Sequence, residues 1–122
     1  MFNVQTTFDP RLRERDMGPL EGLTLTEISE IVGRRITISK FVGEDFPEKV
    51  ESLSSLKARI NSFICDLKKM DFEQCLIVGH GGSLAILISQ IVGMPHNEIK
   101  FGNCEIKKII MSGNDCVLKE FD

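Results

Sequence analysis

Cys75-Leu76-Ile77-Val78-Gly79-His80-Gly81-Gly82-Ser83-Leu84-Ala85-Ile86-Leu87-Ile88 is the stretch on which the fold class turns. Its first four residues are apolar without alternation, the pattern of a strand buried on both faces of a parallel sheet. Gly79 to Gly82 follow at once, and an apolar helix is expected from Ser83 to Val92, ended by Gly93 and Pro95. A buried strand that hands over to a helix through a glycine-rich turn is the unit of an α/β fold.

Upstream, Val50, Leu53, Leu56, Ile60, Phe63, Ile64, Leu67 and Met70 recur at three- and four-residue steps, which predicts a helix with one apolar face. Residues 34–48 carry Gly43, Pro47 and several charges with no period, and read as irregular. Thr24-x-x-Glu27 is a capping-box pattern that opens a short helix to about Val32, stopped by Gly33. Leu12 to Leu23, with Gly18, Pro19 and Gly22, reads as a loop, and Phe2 to Phe8 as a short strand before the Asp9-Pro10 turn. Downstream, Cys104 to Met111 and Val117 to Phe121 read as two strands joined at Ser112-Gly113-Asn114-Asp115. The chain shows no internal repeat and no low-complexity segment.

With 122 residues and 42% hydrophobic content, the chain suits one domain, 1–122, with a core of its own. A formal net charge of -3 argues against a nucleic-acid partner, and Arg11, Arg13, Arg15, Arg34 and Arg35 read as solvated surface. No apolar run approaches the ~20 residues of a membrane span, and no signal peptide is visible. The four cysteines lack Cys-x-x-Cys spacing and there are two histidines, so no metal site is expected. The cysteines read as reduced, mostly buried thiols of a cytoplasmic protein.

Two constellations carry chemistry. In Val78-Gly79-His80-Gly81-Gly82 the glycines let backbone approach a ligand, and the helix start offers N–H groups that favour an anion. An imidazole at the same place suits a phosphate; a tight turn with a capping histidine explains the pattern equally well. The loop is neither a Walker loop, a nucleophile elbow nor a dinucleotide fingerprint. In Leu12-Arg13-Glu14-Arg15-Asp16-Met17-Gly18-Pro19-Leu20-Glu21-Gly22-Leu23-Thr24, a carboxylate between two arginines suits a proton donor to a leaving oxygen, or a plain charged surface loop.

Together, and in order, these motifs resemble the histidine-phosphatase (phosphoglycerate-mutase-like) superfamily. The pattern is Leu12-x-Glu14-Arg15-x-x-Gly18-x-x-Glu21-Gly22-x-Thr24, then Glu51-Ser52 near a helix start with Arg59 within it, then an apolar strand ending in His80-Gly81-Gly82. Phe101-Gly102-Asn103-Cys104-Glu105-Ile106 matches the family's asparagine-bearing segment. The resemblance implies an α/β phosphoglycerate-mutase-like three-layer sandwich and phosphomonoester hydrolysis through a phosphohistidine, without a cofactor, on a phosphorylated small molecule. It implies Glu14 as the acid at the leaving oxygen and His80 as the histidine that stabilises the transferring phosphoryl group. Gly81 is implied as a backbone donor to phosphate and Arg15 as a residue near the substrate.

The departures are as informative. The family's Arg-His-Gly nucleophile segment is absent, and no histidine precedes His80. The expectation is therefore a domain truncated at its N-terminus and inactive alone, with an exposed sheet edge prone to self-association. Val50 stands where glycine often precedes Glu51-Ser52, and Met17 stands where mutases carry tyrosine; Met17 and the short connection before Glu51 favour phosphatase over mutase-type transfer. A non-catalytic phosphate-binding or regulatory protein, and a nucleotide-binding domain using Gly79 to Ser83, are the other classes open.

Overall fold

A computed structural model describes residues 4–37, 45–46 and 49–120. The expected strand at Phe2 to Phe8 lies partly outside these; residues 4–8 form no strand, and Val4 and Phe8 are exposed. Most of the 34–48 stretch also lies outside, and its described residues beyond 33 join no helix or strand.

The helices start where their caps dictate. Helix α1 (Leu25–Val32) has the full capping box: the Glu27 N–H donates to Thr24 Oγ1 at 3.2 Å, and the Thr24 N–H donates back to Glu27 Oε2 at 2.7 Å. Gly33, at φ 75°, ends it. Helix α2 (Leu53–Leu67) is capped by Ser52, whose Oγ accepts from the Ser55 N–H at 3.1 Å. It is shorter than the apolar stripe: Leu56, Ile60, Ile64 and Leu67 are buried, Val50 precedes it, and Met70 lies beyond it, exposed. Helix α3 (Gly81–Val92) starts two residues before the expected Ser83 and ends at Gly93. Its apolar residues surround the axis, so it must be covered on several sides.

That requirement sets the packing. On one side α3 gives Ile86 and Leu87 to a cluster with Leu56, Ile60 and Ile64 of α2. On another it gives Ala85 and Ile88 to a cluster with Ile99, against which Phe101, Ile109 and Leu118 pack. Ile109 and Leu118 belong to an antiparallel hairpin, β1 (Lys107–Ser112) and β2 (Asp115–Glu120), in register Ile109↔Leu118 and Ile110↔Val117. Gly113 and Asn114 are its two-residue turn, as expected, although both strands start or end differently from the sequence reading. A third cluster, Met17, Leu20, Ile28, Ile36 and Phe46, joins α1 to the loop before it. That loop is more ordered than its glycines suggest, with 3-10 turns at Pro10–Leu12 and Gly18–Leu20. Gly18 is at φ 50°, and a Cβ there would stand 2.2 Å from the Lys49 carbonyl oxygen, so no other residue fits.

Three readings are corrected. Cys75 to Val78 is not a strand buried on both faces: it joins no ladder, Ile77 alone packs inward, and Leu76 and Val78 are exposed. A doubly buried strand needs neighbours and two covering layers, and among the described residues only the α2–α3 side is present. The cysteines are not mostly buried: Cys65, Cys75 and Cys104 are exposed and Cys116 is half-buried, all four as free thiols. The basic cluster is not all solvated surface, since Arg15 is buried and Arg11 bridges Asp9 and Asp66, both at 2.7 Å.

Candidate active site at the start of helix α3

The first turn of α3 leaves three N–H groups without helical partners, those of Gly81, Gly82 and Ser83. The Glu14 carboxylate takes two of them. The Gly82 N–H donates to Oε2 at 3.1 Å and the Ser83 N–H to Oε1 at 3.0 Å, while the Arg15 N–H donates to Oε1 at 2.9 Å. A carboxylate here also gains from the positive end of the helix dipole. Gly82 is required by this approach: a Cβ would stand 2.6 Å from Glu14 Oε1. The Ser83 hydroxyl, fully buried, lies 3.1 Å from the Leu12 carbonyl and 3.2 Å from that of His80, and holds the two segments together.

His80 is the N-cap residue but makes no side-chain cap, so the capping-histidine explanation of the motif fails. Its ring is exposed, and among the described residues nothing hydrogen-bonds to it. The Gly81 N–H is the first-turn donor that Glu14 does not use, and among the described residues a notional Cβ on Gly81 would meet only Phe101, at 3.8 Å. The asparagine-bearing segment thus lies against the same helix start. Within it the Glu105 carboxylate accepts from the Gly102 N–H at 2.6 Å and pairs with Lys107.

Arg15 is placed differently from its neighbour. Its Nε donates to the Glu51 carbonyl at 2.8 Å, its Nη2 reaches Asp45 at 3.3 Å, and its guanidinium lies over the Phe46 ring. Burial lowers its pKa from the ordinary guanidinium value, against the pull of Asp45, Glu51 and Glu14, yet a guanidinium remains charged at neutral pH. Met17 faces the α1 cluster rather than the α3 start. His96 sits in a 3-10 turn past the other end of α3. Twelve helical residues at ~1.5 Å each put that end about 18 Å from His80 along the axis.

The residue whose role the sequence did not disclose is Arg59. From within α2 its Nε and Nη2 grip both oxygens of Glu51 at 2.8 Å. Its Nη1 donates to the carbonyls of Arg11 at 2.7 Å and Arg13 at 2.8 Å, and Nη2 donates to that of Glu14 at 3.1 Å. Glu51 in turn accepts from the Asp16 N–H at 3.2 Å and gives its own N–H to the Asp16 carbonyl at 2.7 Å. Arg59 and Glu51 therefore shape the loop that delivers Glu14. The Glu51 carboxyl is held below the usual carboxylate range, first by the Arg59 hydrogen bonds and further by the Asp16 N–H, against its burial. Both residues stand in the motif order, which was the available signal; their loop partners, 35 to 48 positions away, were not readable.

The sequence model described as "Histidine phosphatase superfamily (branch 1)" matches residues 1–122. The chain belongs to the histidine phosphatase superfamily. The fold is accordingly α/β of the phosphoglycerate-mutase-like kind, here as helices with a small antiparallel sheet. Among relatives of this superfamily, the chain is 36% identical over 110 residues to "Probable phosphoglycerate mutase GpmB" of Citrobacter koseri, covering 84% of this chain and 50% of that protein. It is 34% identical over 106 residues to the protein of the same name from Enterobacter sp., covering 83% and 49%. With "Putative phosphoserine phosphatase 2" of Hydrogenobacter thermophilus it shares 29% over 123 residues, 97% of this chain and 60% of that protein. The chain thus spans about half the length of the curated relatives it matches. No solved structure matches. No helix among the described residues is long and apolar enough to cross a membrane.

Proposed function

We propose that this histidine-phosphatase chain carries the proton-donor and phosphate-holding part of a cytoplasmic phosphomonoesterase that works through a phosphohistidine. One observation carries the reading: the Glu14 carboxylate is pinned to the second and third N–H groups of the helix whose N-cap is His80 and whose first residue is Gly81. Phosphoryl transfer depends on positioning and on neutralising charge at the transferring group, and a helix start with a free amide and an open imidazole meets that demand. In this scheme Glu14 takes up a proton from solvent and passes it to the leaving oxygen, while His80 and the Gly81 N–H hold the phosphoryl oxygens. Arg15 contributes a buried positive charge one residue from Glu14. Hydrolysis is favoured over mutase-type transfer because Met17, at the position expected for a mutase tyrosine, is a core residue. The remaining histidine, His96, lies at the far end of α3, so the 122 residues have no phosphorylatable partner for Glu14 and His80, and no turnover is expected from them alone.

The test is a titration of the purified chain with inorganic phosphate and with an aryl phosphate, followed by amide and imidazole NMR shifts and by product release. Shifts centred on His80, Gly81 and Phe101, with no product, are expected. Product formation that disappears in His80→Ala overturns the inactivity. Shifts confined to another surface overturn the site.

A further inference from the structure

A carboxylate can only accept hydrogen bonds, at roughly four positions over its two oxygens. Three backbone N–H groups fill most of what Glu14 offers. Oε1 takes those of Arg15 at 2.9 Å and Ser83 at 3.0 Å, and Oε2 takes that of Gly82 at 3.1 Å. One position on Oε2 is left. Among the described residues no other group donates to the carboxylate, and no cationic side chain forms an ion pair with it. The nearby positive groups are aimed elsewhere. The Arg15 guanidinium is turned to the Glu51 carbonyl and Asp45, and Arg59 meets Glu14 at its carbonyl.

The remaining position adjoins the place where a ligand oxygen would sit. Oε2 is held by the Gly82 N–H, and the residue before it, Gly81, has the first-turn N–H that Glu14 leaves unused. Consecutive residues are ~3.8 Å apart, so an oxygen seated on the Gly81 N–H lies on the order of 3–5 Å from Oε2. Two anionic oxygens that only accept repel at that separation. A hydrogen between them replaces the repulsion with a charge-assisted O–H···O bond.

We propose that Glu14 Oε2 selects an oxyanion that carries a hydrogen. The substrate form that fits is the monoanion of a phosphomonoester. Its P–O–H donates to Oε2, while His80 and the Gly81 N–H hold other phosphoryl oxygens. Sulfate and sulfate esters lack that hydrogen. They bind only once Glu14 has taken a proton from solvent, which makes the carboxylate a barrier against them. The inference rests on the phosphate-holding role proposed for His80 and Gly81.

The test compares tetrahedral anions of equal charge on the full 122-residue chain. At about pH 8 inorganic phosphate is mainly a dianion with one hydrogen, and sulfate is a dianion with none. Titrations at equal ionic strength are followed by the His80 imidazole and Gly81 amide NMR shifts. Phosphate should bind about tenfold more tightly than sulfate or better; the site is open to water, so the ~10⁴-fold rejection of an enclosed site is not expected. Monofluorophosphate, a phosphorus dianion with fluorine in place of the hydroxyl, should bind as weakly as sulfate. In Glu14→Gln and Glu14→Ala the preference should shrink to about twofold, mainly because sulfate gains. Equal affinities for phosphate and sulfate in the parent overturn the proposal. So does monofluorophosphate that binds like phosphate, a result that needs no variant to fold. A preference kept in both folded variants overturns it as well, because another group then receives the hydrogen. If neither phosphate nor sulfate moves His80 and Gly81, the site reading itself fails and the proposal with it.

Discussion

Replacing Arg59 by alanine tests the mechanism by which the Glu14 loop is held. The Arg59 and Glu51 side chains are 12% and 8% exposed, so the pair is largely desolvated. Removing one partner of such a pair leaves the other charge buried without compensation, at roughly 3–5 kcal/mol. The carbonyls of Arg11, Arg13 and Glu14 also lose their donor. Water can replace much of that at the loop surface, so those bonds add at most about 1 kcal/mol each. The expected total is about 3–8 kcal/mol, a large share of the ~5–15 kcal/mol by which a domain is stable. Urea denaturation of Arg59→Ala, Glu51→Ala and the double variant forms the assay. The double variant should cost less than the sum of the singles by about 2–3 kcal/mol, because the second removal takes away a charge already stranded. A loss below about 1 kcal/mol for Arg59→Ala, or strict additivity of the two changes, would refute the reasoning. Either result would mean that the Glu14 loop is set by Ser83 and the α1 cluster instead.

Gly18→Ala should destabilise the chain by at least about 2 kcal/mol, since it adds left-handed strain to a Cβ only 2.2 Å from a backbone oxygen; thermal melting checks this, and a neutral result would contradict the close approach to Lys49. The Glu51 carboxyl is depressed in the folded state, so its contribution is fully present above the unfolded carboxyl value of about 4.5 and is lost as pH falls through the lower folded value. The melting temperature should therefore fall on acidification from pH 5 to pH 3, by less in Arg59→Ala than in the parent, and equal slopes would count against the pairing.

Much of the chain was legible because its signals are local. The Thr24–Glu27 box, the Gly33 stop and the Gly113–Asn114 turn each depend on residues within a few positions, and each stands where the sequence put it. The α2 stripe was readable for the same reason, although the helix is shorter than the stripe, because an apolar residue such as Met70 can follow the period without being in the helix. The motif order of Glu14, Arg15, Glu51, Arg59 and His80 was also enough to recognise the superfamily that residues 1–122 match.

What the sequence by itself determined was thus which segments are helical, where the Thr24 box opens α1, where Gly33 and Gly93 end α1 and α3, and which residues bear chemistry. Tertiary structure decided what those residues touch. Glu14 and Arg15 are adjacent, yet one carboxylate caps α3 at Gly82 and Ser83 while the next guanidinium turns to Glu51 and Asp45. Periodicity carries no information about partners 36 or 69 positions away. Cys75 to Val78 makes the same point from the opposite side: its apolar composition announces a strand that wants two neighbours and two layers, but composition cannot supply them. Backbone groups form a ladder only with another backbone at hydrogen-bonding distance, and whether one is there is a property of the folded assembly rather than of the four residues.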